Sequence, residues 1–150
     1  MTGWRVGWLV TRADIGPKLA QLNEFFVSHA ATFSQMAALT ALTDGEDEVR
    51  RMVEAYNANR EFCVASLREL PGVTVPDPAG AFYAFPRIEG LEDSMAFCRR
   101  LLVEQRVGLA PGSAFGTAGE GSVRICYAAE RSILEPALER LGDFLAKGGP

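Results

Sequence analysis

The spacing of apolar side chains changes repeatedly along this 150-residue chain, and each change marks an element. Trp4, Val6, Trp8 and Val10 alternate with Arg5, Gly7 and Leu9, a period of two in an aromatic and β-branched run that predicts a strand. Leu19, Leu22, Phe25 and Phe26 then fall at helical spacing, with Asp14 as a cap and Pro17 in the first turn, so a helix is expected to end near Ser28 and His29. Residues 33–42 are Ala-rich and apolar (Met36, Leu39, Leu42) and read as a short buried helix. Thr43 and Glu46 have capping-box spacing for the longest helix, which reaches about Leu70 with Val49, Met52, Val53, Tyr56, Cys63 and Leu67 in its stripe. Pro71-Gly72 stops it.

Short strands follow at 73–75 and 81–85, around a Pro-Asp-Pro-Ala-Gly turn. A helix is predicted over 91–105, a strand over 107–110, a Gly-rich loop over 111–116 and a strand over 123–127. The last helix begins near Glu130, and Ile133, Leu134, Ala137, Leu138, Leu141, Phe144 and Leu145 form a stripe close to an ideal helical period. Helices laid on a small mixed sheet make an α+β fold, an α/β sandwich. The first strand stands apart from that sheet, and the helix after it reads as a connector between two bodies.

Composition narrows the class. The chain is 48% hydrophobic and 23% charged, with a formal net charge of −4, and it has no basic patch. That argues against nucleic acid and anionic membranes as partners. No apolar run approaches membrane-spanning length, and no leader is expected because Met1 opens directly into strand-like sequence. Three scattered cysteines read as free thiols in a reducing compartment, hence a cytoplasmic protein, and lack metal-ligand spacing. His29 is the single histidine, so His-rich metal sites are excluded; it reads as a helix-end or surface imidazole.

Two arginines sit where charge is costly. Arg5 lies in the apolar first strand, where a buried guanidinium needs an anion: a carboxylate from a neighbouring element or a bound ligand. Arg124 lies between Val123 and Ile125 on the face shared with Cys126. Its planar fork suits a carboxylate; the plainer reading is an edge-strand arginine reaching water or pairing with a nearby acid.

Four segments, in order, carry a resemblance. Met-Thr-Gly-Trp-Arg-Val-Gly-Trp at 1–8, Pro78-Ala79-Gly80-Ala81-Phe82-Tyr83, Ala110-Pro111-Gly112-Ser113-Ala114-Phe115-Gly116 and Gly-Ser-Val-Arg-Ile-Cys-Tyr-Ala at 121–128 resemble class I/II (fold-type I) aminotransferases of the aspartate aminotransferase family. The resemblance implies pyridoxal 5'-phosphate as cofactor, with Arg5 on its phosphate. It implies Arg124 on the substrate α-carboxylate, and Phe82 and Tyr83 as walls of the active site. It also implies transfer of an amino group between an α-amino acid and a 2-oxo acid by a homodimeric enzyme. Residues 1–30 would be the tail of the large cofactor domain with its connecting helix, and 31–150 the small C-terminal domain. In the family the Schiff-base lysine lies a few residues before the Arg5 segment. Lys18 and Lys147 are the only lysines here and neither matches it, so a C-terminal fragment, inactive alone, is expected. Two alternatives stay open at this point: a free-standing binding or interaction module with the same fold, and a fragment of a related lyase or synthase using the same cofactor.

Overall fold

The structure, a computed structural model, describes residues 1–150, the side chain of Thr2 excepted. Contacts divide it into two compact units, 1–51 and 52–150, with the division inside a long helix.

In the first unit a single 3-10 turn, Thr2–Trp4, leads into chain without ladder pairing, then α1 (Gly16–Phe26), α2 (Thr32–Asp44) and the start of α3 (Glu46–Arg68). The strand expected over 4–10 does not form. An alternating pattern makes a strand only where a neighbour takes its N–H and C=O groups. No strand in this unit does so, Arg5 bends the chain at φ 52°, and Trp8, Leu9 and Val10 are 68%, 79% and 92% exposed. Pro17 stands in the first turn of α1 as expected, but Asp14 does not cap it: its carboxylate pairs with Arg12 at 3.0 Å. The expected capping box also fails, because Thr43 lies inside α2 and gives its hydroxyl proton to the Leu39 carbonyl, 3.1 Å away. The helix over 33–42 forms but is not buried. Met36, Leu39 and Leu42 face solvent, and Ser34 alone is buried, its Oγ donating to the Trp4 carbonyl at 3.0 Å.

The second unit is built differently. The C-terminal half of α3, α4 (Ser94–Gln105) and α5 (Arg131–Ala146) share one core with two small sheets. β1 (Val73–Thr74) pairs antiparallel with β3 (Arg87–Ile88), a strand absent from the sequence reading. β5 (Val123–Cys126) is the centre of the other sheet, with β2 (Tyr83–Ala84) and β4 (Ala110–Pro111) antiparallel on its flanks. The strand expected over 107–110 pairs only at its end. Asp93 caps α4, its carboxylate accepting the Ala96 N–H at 2.8 Å; the sequence reading began that helix at Leu91. Cys63 and Leu67 of α3, Phe97 and Leu101 of α4, and Leu134, Leu138, Leu141 and Phe144 of α5 close over Ala84, Val123 and Ile125. The result is the expected helix-on-sheet sandwich. Among the described residues, no helix is long and apolar enough to cross a membrane.

Candidate functional site

Strand pleating decides which β5 side chains are left for chemistry. Val123 and Ile125 point into the core, so Arg124 and Cys126 point away from it. The cross-strand register puts Tyr83 beside Cys126 and Ala110 beside Arg124 on the same outer face. Phe82 precedes Tyr83 after a left-handed Ala81 (φ 57°), whose carbonyl accepts the hydroxyl of buried Tyr127 at 3.3 Å. The Phe82 and Tyr83 rings lie 4.6 Å apart, and Tyr56 of α3 meets Phe82 at 5.9 Å. Asn59, also on α3, donates to the carbonyls of Tyr127 (3.1 Å) and Ala129 (2.8 Å), fixing the chain as it leaves β5.

The half-buried Arg124 guanidinium lies over two aromatic rings. Its carbon is 4.3 Å from the centroid of Tyr83 and 4.5 Å from that of Phe115. Among the described residues no carboxylate comes within 4.0 Å of it, so the reading as an arginine paired with a nearby acid is not what the structure has. Both rings lie within cation–π distance of its carbon, while its N–H edge has no protein acceptor among the described residues. Such an edge fits a planar anion with two parallel acceptors.

Phe115 comes from the 111–116 loop, which sequence reasoning treated as a connector and family segment without assigning this ring. The loop is held from beneath. Gly112 and Gly119 approach so closely that a Cβ on either would collide with the other's carbonyl oxygen. The Ser113 N–H donates to buried Ser94 Oγ at 3.1 Å, and Glu120 accepts the N–H groups of Ser94 (2.7 Å) and Gly121 (3.2 Å). The Ser94 hydroxyl, then these two amides, hold the Glu120 carboxyl below its ordinary range. Elsewhere in this unit, burial pushes the Cys63 and Cys98 thiols up to about 11, which removes both as thiolate nucleophiles.

Arg5 belongs to the first unit and is taken by itself. It is exposed rather than buried, with no carboxylate within 4.0 Å among the described residues. It lines an open cleft of about 780 Å³ with Met1, Trp4, His29, Phe33 and Ser34. Its free guanidinium has the chemistry to take a phosphate, the group the sequence resemblance gives it.

Comparison with known proteins gives the family. Residues 1–141 match the family model described as aminotransferase class I and II. Aspartate aminotransferase of Pyrococcus horikoshii is 39% identical over 144 residues, covering 94% of this chain and 37% of that protein. A probable N-acetyl-LL-diaminopimelate aminotransferase of Bacillus subtilis is 39% identical over 148 residues, covering 98% and 37%. The crystal structure of an aromatic aminotransferase from Pyrococcus horikoshii superposes with a TM-score of 0.89 at 39% identity, covering 98% of this chain and 40% of that one. The chain thus spans about two fifths of the length of these relatives. The family depends on pyridoxal phosphate. This chain belongs to the class I and II aminotransferases, and corresponds to a portion of such an enzyme.

Proposed function

We propose that the protein containing this chain transfers an amino group between an α-amino acid and a 2-oxo acid, with Arg124 gripping the substrate α-carboxylate. One observation carries this reading: a half-buried guanidinium held over two rings, with no acid beside it among the described residues. Residues 31–150 are the substrate-side domain. Residues 1–30 are the tail of the cofactor domain, where Arg5 binds the cofactor phosphate. Phe82 and Tyr83 wall the substrate site and reduce its water. The bound pyridoxal phosphate supplies an electron sink for the transfer. The arginines contribute binding and orientation: Arg124 holds the carboxylate end of the substrate through its N–H edge, and Arg5 neutralises and holds the phosphate. The protein works as a homodimer in the cytoplasm, a location supported by three cysteines without a disulfide.

The test is a pair of substitutions in the full-length protein. Arg124→Lys keeps the charge but loses the two-pronged geometry. Removing such a contact costs on the order of 2–5 kcal/mol, so kcat/KM for the amino acid is expected to fall by roughly two orders of magnitude or more, with cofactor affinity kept. Replacing Arg5 by Ala is expected to weaken cofactor retention first. If the two variants lose activity and melting temperature in parallel, with no split between substrate KM and cofactor Kd, both arginines are structural and the assignment is wrong.

A further inference from the structure

Phe115 is an apolar ring left 49% exposed on a surface turn, Gly112–Phe115. Its ring neighbours are Arg124 at 4.5 Å and, edge-on at 83° with centroids 5.7 Å apart, Phe85. The turn beneath it is fixed by the glycine approach at Gly112 and Gly119 and by the Ser94, Ser113 and Glu120 hydrogen bonds. That scaffolding determines where the exposed ring lies, and it lies over a guanidinium.

An unclamped arginine on an open face has many rotamers and loses that freedom when it binds. A guanidinium is weakly hydrated, so aromatic rings cover it at little cost, and its hydrogen bonds lie in its plane. A clamped guanidinium meets its ligand edge-on and cannot tilt. A carboxylate offers two acceptors to that edge, whereas a carboxamide turns an NH₂ donor toward N–H donors. We propose that Phe115, with Tyr83, is a positioning residue for Arg124: the aromatic clamp fixes the guanidinium plane and so sets the preference for a carboxylate over its neutral isostere. This rests on the reading of Arg124 as the carboxylate anchor.

The test uses the full-length protein with its cofactor. KM for its best α-amino acid and the inhibition constant of the corresponding α-amide are measured for wild type, Phe115→Leu, Phe115→Tyr and Arg124→Lys. Phe115→Leu is expected to raise KM for the acid about tenfold, because the unclamped guanidinium must then be ordered when the carboxylate binds. The amide constant, cofactor Kd and melting temperature should hold, so the acid-over-amide preference shrinks. Phe115→Tyr, which keeps a ring, is expected to retain the preference. Equal losses for acid and amide, or no change in either, with Phe115→Leu would overturn the proposal. The Arg124→Lys arm separates the two levels. If it removes the acid preference while Phe115→Leu does not, only the clamp fails; if Arg124→Lys leaves the preference intact, the anchor reading fails and the clamp with it.

Discussion

The regions 1–51 and 52–150 both carry many apolar side chains but use them in opposite ways. In 52–150 the stripes of α3, α4 and α5 meet and bury one another, down to 0% exposure at Cys63, Leu67 and Leu101. In 1–51 the apolar side chains of the opening segment, α1 and α2 lie open, with Phe25 and Phe26 more than four-fifths exposed. The functional arginines differ in the same sense. Arg124 is set by rings within its own core-bearing unit, whereas Arg5 is exposed and, among the described residues of its unit, has no ring or acid holding it. Arg124 sits on a strand whose other face is buried, which fixes where it lies; Arg5 lies outside any strand and is exposed in its unit, so it has the chemistry for an anion without that fixed geometry.

Core truncation sharpens this contrast most. Leu101→Ala in the 150-residue chain is expected to cost about 2–5 kcal/mol, because a fully buried leucine leaves a cavity. Leu39→Ala is expected to stay within about 0.5 kcal/mol, because that side chain already faces water. Urea unfolding followed by circular dichroism measures both. Comparable losses would mean the first region has a core of its own.

A smaller effect concerns the loop that presents Phe115. The Glu120 carboxyl is held below its ordinary range, so the folded state favours its ionised form. Its contribution to stability is therefore complete above the ordinary glutamate range and is lost as pH falls through the depressed value. Thermal melts from neutral to acid pH should show wild type losing more of its midpoint than Glu120→Gln. Parallel pH profiles would mean that the Ser94 and Gly121 contacts do not favour the charged form.

Sequence reading succeeded where local pattern and burial agreed. The α5 stripe, apart from exposed Ile133, and the helix stop at Pro71-Gly72 were legible, since period and burial had one solution. It failed where a partner decides. The 4–10 run has strand chemistry, but a ladder needs a second strand, and residues 33–42 have buried-helix composition while only Ser34 is buried among the described residues of their helix. Thr43 illustrates a finer failure: capping-box spacing was present, yet Thr43 is itself helical within α2 and donates its hydroxyl back to the Leu39 carbonyl. Two-residue strands such as Arg87–Ile88 are too short for periodicity to register. Phe115 was missed because its role depends on a loop fold set by Gly112 and Gly119, which no local spacing encodes.

The claim that Arg124 is preset and Arg5 is not can be measured on the 150-residue chain itself, without cofactor or substrate. Nitrogen-15 relaxation of the arginine Nε–H groups reports the fast motion of each guanidinium. The expected result is an order parameter for Arg124 near that of rigid backbone, about 0.85, and one for Arg5 below about 0.6. Equal mobility at both would contradict the account, since the rings over Arg124 would then not be fixing it.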